Sequence, residues 1–248
     1  MQVTVAGIIG GTGLGRIEGL EIIRHEELET PYGKPSSPLS HGRIDGSDVV
    51  FLARHGAAHS IPPHRVNYRA NMFALREAGV EQVVAVAAVG GIQADMLPGV
   101  LALPNQIIDY TWGRKHSFFD GSPGKVTHID FTEPYCETLR HTLLNVAQSS
   151  DIQLSDGGVY GATQGPRLET AAEIDRMRRD GCTLVGMTGM PEAALARELG
   201  LCYASCSVVA NRAAGFGGKA IHMEEIQQTL NSAMINVETL LINWLKTI

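Results

Sequence analysis

GGTGLG at 10–15 offers an anion several consecutive backbone N–H groups and one hydroxyl, that of Thr12. LARHG at 52–56 sets the forked guanidinium of Arg54 beside His55, and both can donate to one phosphate or to a sugar hydroxyl. VAAVGGI at 86–92 is an apolar run ending in two glycines, where the backbone N–H groups at Ala88 and its neighbours are free to meet a ligand. GPRLET at 165–170 puts Glu169 at the opening of a helix, and GMTGMPE at 186–192 puts Thr188 between a strand and a helix. SVVANRAAG at 207–215 closes an apolar run on the amide of Asn211. This set provides anion donors, one carboxylate and one amide. It contains no Ser-His-Asp order and no carboxylate pair.

Each stretch has an ordinary alternative. The glycine turn is also what a tight turn or a dinucleotide fingerprint looks like, but its spacing is G-x-G-x-G, and the polar segment after it is too short for a crossover helix. An Arg-His pair at a strand end also suits a surface salt bridge, and a carboxylate opening a helix also suits the helix dipole. Thr188 has the position of an N-cap, and Asn211 that of a turn former. His55, His59 and His64 are not expected to hold a metal, because Pro62 and Pro63 break the helix that an i, i+4 pair needs.

These residues need strands that end at one edge. VTVAGII (3–9), DVVFLAR (48–54), QVVAVAAV (82–89), TLVGMT (183–188) and CYASCSVVA (202–210) are short runs of the kind buried on both faces. Helical spacing with stop signals predicts helices over 67–79, 133–147, 169–181 and 191–200, the last with Pro in its first turn, and a long amphipathic helix over 224–246. Segments 30–47 and 111–124 are expected to be irregular loops. The alternation predicts one α/β domain with a mixed sheet.

The chain has 248 residues, 44% of them hydrophobic and 19% charged, with a net charge of −6, which excludes a basic nucleic-acid scaffold and a disordered tail. An acidic protein must therefore bind phosphate through a local cluster. No stretch of about 18 apolar residues occurs, and the start MQVTVAGIIGGTG lacks the marks of a signal peptide, so the expectation is a cytoplasmic protein that binds no membrane. Cys136, Cys182, Cys202 and Cys206 lie mostly in apolar runs and are expected to be reduced and packed.

In chain order, IIGGTGLG, TPYGKPS, LARHG, VNYRAN, SFFDGS, HIDFTEPYC, GPRLET, GMTGMPEAALAREL, CYAS and the Asn-bearing strand end resemble the trimeric purine nucleoside phosphorylase and methylthioadenosine phosphorylase family over essentially the whole chain. The resemblance implies a single domain over 1–248 with a phosphorylase/hydrolase-like fold, a central mixed β-sheet flanked by helices. It also implies a homotrimer, no metal and no organic cofactor. The implied reaction is phosphorolysis of a purine nucleoside, with inorganic phosphate as co-substrate. The family's phosphate site carries over onto Thr12, Arg54, His55, the backbone at Ala88, and Thr188, while Ala87 stands where Thr or Asn is common. Met187 matches the residue that packs under the ribose and bonds it through its backbone. Leu168 falls where a Phe usually covers the base, and His128 matches a residue that reaches the neighbouring subunit's 5′ pocket.

The base-reading positions depart from the methylthioadenosine branch, which has Asp-x-Asp where this chain has Asn211-Arg212-Ala213. Asn211 and Glu169 resemble the 6-oxopurine enzymes. An ionised carboxylate only accepts and suits the N1–H of hypoxanthine, while an amide donates to O6 and accepts from N7–H. At the 5′ end, MEEI (223–226) lies where the 6-oxopurine enzymes show His-Glu-Glu-Val, so Met223 replaces a hydroxyl ligand with an apolar surface suited to a methylthio group. A one-residue slip would put His222 there instead. Together these residues point to S-methyl-5′-thioinosine as substrate. Inosine or guanosine, methylthioadenosine, and noncatalytic nucleoside binding are the alternatives.

Overall fold

Runs of Val, Ala and Ile that bury both faces of a strand make the centre of the molecule. The computed structural model describes residues 5–14, 17, 19–121, 126–217 and 221–248. Val3 and Thr4 of the first expected strand, Gly15 of the glycine turn and 122–124 of the second expected loop lie outside the described residues. Ser47–Ala53 (β4), Val5–Gly10 (β1), Val80–Gly91 (β5) and Cys202–Arg212 (β11) lie side by side in that order, all parallel.

β5 is twelve residues long and changes neighbours along its length. It pairs with β1 from Val80 to Ala85, with β11 from Gln82 to Gly91, and at Gly90 and Gly91 with the antiparallel Leu184–Gly186 (β10). Because β1 stops pairing at Ala85, the sheet opens beyond that point. Val159–Ala162 (β9) and Gln106–Asp109 (β7) continue the sheet past β10, and Leu101–Leu103 (β6) and Leu154–Asp156 (β8) extend it from β11, so the sheet is mixed.

On the opposite edge, Glu21–Glu26 (β2) and Leu39–Ile44 (β3) pair antiparallel beside β4. β3 corrects the expectation of an irregular loop over 30–47. Its sequence, LSHGRI, is mostly polar, and pairing with the apolar β4 rather than its own pattern makes it a strand. Segment 111–121 has no regular element, as expected.

Tyr68–Glu77 (α1) and Gly189–Glu198 (α4) pack on one face of the sheet, and Glu137–Ser149 (α2) and Met223–Leu245 (α5) on the other. α5 buries Leu230, Ala233, Val237, Leu241 and Trp244, a stripe at helical spacing. Met190 has extended backbone, so regular turns in α4 begin at Pro191, where the sequence places the helix start. Among the described residues no helix is long and apolar enough to cross a membrane.

The cysteines depart from expectation in part. Cys136, at the start of α2, and Cys202, the first residue of β11, form a disulfide across 66 residues of chain, whereas Cys182 and Cys206 are free and buried. The docking of α2 beside the start of β11, marked by the Cys136 N–H bond to the Tyr203 carbonyl at 2.8 Å, brings the two sulfurs together. Composition holds no trace of that pairing.

Candidate active site

Where β1 and β5 part, the sheet leaves a cavity of about 550 Å³ at the strand ends, within the range of small-molecule sites. The turn after β1 must run close against β5: a Cβ on Gly11 would lie 2.4 Å from the Val86 carbonyl oxygen and 2.8 Å from Arg54 Nη1. That approach sets Thr12 at the cavity wall, and the end of β4 delivers Arg54 and His55 beside it. Ala87 and Ala88 come from β5, and Thr188 from the turn entering α4. All five residues of the expected phosphate set therefore line one end of one cavity.

Arg54 is 1% exposed and is held from behind. Its Nε and Nη2 donate to the two Glu192 carboxylate oxygens at 2.7 and 2.8 Å, and its Nη1 donates to the Val86 carbonyl at 2.8 Å. The Tyr203 hydroxyl adds a 2.8 Å bond to Glu192. Burial disfavours the guanidinium charge, but attraction to Glu192 outweighs it and holds the Arg54 pKa above its ordinary value. Three of five N–H groups are engaged, so one on each Nη remains for a ligand.

His55 departs from the expected donor role. Its Nδ1 donates to the Ile61 carbonyl at 2.8 Å, and burial, then the neighbouring Arg54 charge, pushes its pKa down to about 4. At neutral pH the ring is uncharged and offers Nε2 as an acceptor, suited to the hydroxyl of a protonated oxyanion or of a sugar. His59, whose ring lies 4.9 Å from that of His55, sits 3.5 Å from the Thr12 hydroxyl. Thr188 makes no capping bond, which leaves its hydroxyl unused by α4.

The other end of the cavity carries the base-reading candidates. β11 bulges between Val209 and Asn211, and such an extra residue re-aims the side chain after it. Asn211 lines the cavity, and its Nδ2 donates to the Arg212 carbonyl at 2.8 Å, leaving one amide N–H and the amide oxygen for a ligand. Glu169 takes no part in the cap of the helix it precedes. Thr170 and Glu173 form the capping box of Ala171–Arg179 (α3), and Glu169, one residue earlier, lines the cavity and accepts a 2.6 Å bond from the Thr163 hydroxyl.

Ala213, 2% exposed, closes the wall beside Asn211. Leu168, 41% exposed, and Met187 also line the cavity. Met223, the first residue of α5, lines the cavity near Ile221 and Ile226, whereas His222 does not. His128 is exposed and lies outside the cavity of its own chain.

The phosphorylase superfamily model matches residues 5–246. The chain belongs to the phosphorylase superfamily. This phosphorylase is 53% identical over 238 residues to a probable S-methyl-5′-thioinosine phosphorylase of Pseudomonas syringae pv. tomato, covering 96% of this chain and 97% of the relative. It is 43% identical over 240 residues to the 6-oxopurine nucleoside phosphorylase of Pyrococcus furiosus, covering 95% and 89%. Its fold superposes on methylthioadenosine phosphorylase from Schistosoma mansoni in complex with adenine with a TM-score of 0.94, at 31% identity and over 98% of this chain and 91% of that one.

Sequence reasoning missed Glu192, Tyr203 and Thr163, which hold Arg54 and Glu169 in place. Glu192 carried one signal: it is an acid on a helix that otherwise reads MPEAALA, a face with no reason to carry a charge unless a buried cation faces it. Tyr203 and Thr163 carried none.

Proposed function

We propose that this enzyme cleaves S-methyl-5′-thioinosine with phosphate to hypoxanthine and 5-methylthioribose 1-phosphate. The observation that carries this is the cavity that Glu169, Asn211 and Met223 share. A carboxylate already fed by one donor, an amide with a free N–H and oxygen, and a thioether match N1–H, the O6/N7 edge and a 5′-methylthio group in turn. The relatives in Pseudomonas and Pyrococcus support a 6-oxopurine nucleoside as substrate.

In this reading a phosphate oxygen bonds to C1′ from the face opposite the base as the C1′–N9 bond breaks, and the electron pair of that bond stays on the purine. Thr12, Thr188, the N–H groups near Ala88 and the two spare N–H groups of Arg54 hold the phosphate. Asn211 relieves the charge on the departing base by donating its free amide N–H to O6, and its amide oxygen accepts the N7–H formed when the base takes a proton from water. Fixed donors, with no covalent nucleophile, supply the rate enhancement. Neither metal nor organic cofactor has a part in these steps. His128 serves the 5′ pocket of a neighbouring subunit in a homotrimer.

The test sets S-methyl-5′-thioinosine, methylthioadenosine, inosine and guanosine side by side, each with and without phosphate. Strict phosphate dependence and a preference for methylthioinosine over methylthioadenosine of at least about a hundredfold are expected, because two hydrogen-bond mismatches oppose adenine. Equal cleavage of the two methylthio nucleosides would refute the base assignment. Faster turnover of inosine would move the enzyme to the 6-oxopurine nucleoside phosphorylases.

A further inference from the structure

Segment 111–121 has no regular structure and lines no part of the cavity, yet it carries the most heavily bonded guanidinium near the site. Arg114 Nη1 donates to the Met187 carbonyl at 2.9 Å, to the Met190 carbonyl, and to the Tyr68 hydroxyl at 3.3 Å. Its Nη2 donates to the carbonyls of Thr163 and Gln164 at 3.1 and 2.8 Å, and its Nε to the Gln164 side-chain oxygen at 3.1 Å. We propose that Arg114 is a positioning residue that fixes the nucleoside half of the active site by tying three of its walls to one planar cation. This rests on the phosphorolysis reading of the same cavity.

Each tie leads to a group the nucleoside would meet. The Met187 carbonyl is taken by Arg114, so the backbone group of Met187 left to face a ribose hydroxyl is its N–H. Thr163, held by its carbonyl, gives its hydroxyl to Glu169, so the carboxylate that reads the base hangs on the same cation. Tyr68 accepts from Arg114 and donates to the Pro63 carbonyl at 3.0 Å, and Pro63 lines the cavity. The loop carrying Arg114 is itself anchored, since the Ser117 hydroxyl and the Phe118 N–H both donate to Glu198 at 2.7 Å. A planar five-donor fork can join carbonyls from separate segments, and a lysine ammonium with three donors at one point cannot reach them all.

Thr12, Arg54 and His55 hang on β1 and β4, which Arg114 does not touch, and Thr188, between the Met187 and Met190 carbonyls, is the one member of the phosphate set tied to it. The structure therefore assigns to Arg114 an effect on the nucleoside more than on phosphate. Arg114→Ala and Arg114→Lys are compared with the wild type by steady-state kinetics in both substrates and by backbone amide exchange in the ligand-free protein. If the alanine variant does not fold, the lysine variant decides.

The expected result is faster exchange over 163–169 and 187–190, and a nucleoside KM raised at least about tenfold in the alanine variant and less in the lysine variant. The phosphate KM, which Arg114 reaches through Thr188 alone, should rise several-fold less than the nucleoside KM, and free guanidinium should restore part of the alanine variant's loss. Unchanged exchange, or accelerated exchange with both KM values moving together or not at all, would overturn the proposal. Absence of purine nucleoside turnover in the wild type would fell the phosphorolysis reading alone, and exchange over those segments would still decide the clamp.

Discussion

Arg54 and Glu192 form a buried ion pair, and the Arg54 end of it lines the cavity. Removing two charges from water costs several kcal/mol each, so such a pair persists only with good geometry and with its remaining groups bonded, and here Val86 and Tyr203 supply those bonds. The pair thereby presents two guanidinium N–H groups in fixed directions. Glu192→Gln removes the countercharge and one acceptor while keeping the shape. We expect it to lower stability by about 3–5 kcal/mol and to raise the phosphate KM, because an uncompensated guanidinium is left in the core. Urea unfolding and phosphate titration check this, and an unchanged phosphate KM would mean that Arg54 is structural only. The base end follows the same logic with a neutral partner: the Thr163 hydroxyl donates to Glu169 and holds it in place.

At the scale of elements, the start of α5 decides the sugar. His222 is the extended residue that precedes the helix and Met223 its first residue, and of the two it is Met223 that lines the cavity. Met223→His should therefore shift preference from methylthioinosine towards inosine by about tenfold, as one apolar contact is exchanged for one hydrogen bond. The ratio of kcat/KM for the two nucleosides measures it. If His222→Ala instead removes inosine turnover and Met223→His changes nothing, the 5′ pocket is built from the other residue. The bulge in β11 plays the equivalent part at the base end, where an unbroken ladder would give Asn211 a different facing.

The whole molecule keeps this architecture at low identity. With 31% of residues shared, the chain still superposes on a methylthioadenosine phosphorylase with a TM-score of 0.94, as expected where the frame is set by strands buried on both faces and the ligand is chosen by a few strand-end side chains. His128 is exposed in the single chain, so a role in the 5′ pocket requires a second copy. We expect a homotrimer that loses activity when diluted to monomers, and His128→Ala to weaken the nucleoside without altering assembly. Sedimentation coupled to activity tests both, and a fully active monomer would remove His128 from the site.

Most of the frame was legible in the chain itself. Five apolar runs were strands and five periodic stretches were helices, because each carries its period locally, as the α5 stripe at 230, 233, 237, 241 and 244 does. That Thr12, Arg54, Ala88 and Thr188 line one cavity was foreshadowed by glycine-rich or polar residues closing apolar runs. Tertiary structure alone decided the rest. β3 is a strand through its partner rather than its pattern, and the Cys136–Cys202 bond joins residues 66 positions apart. The neutral state of His55 comes from the burial and charge around it. Glu192 behind Arg54, Thr163 behind Glu169 and Arg114 across three walls are contacts between segments distant in sequence, and no local spacing encodes which buried donor meets which acceptor.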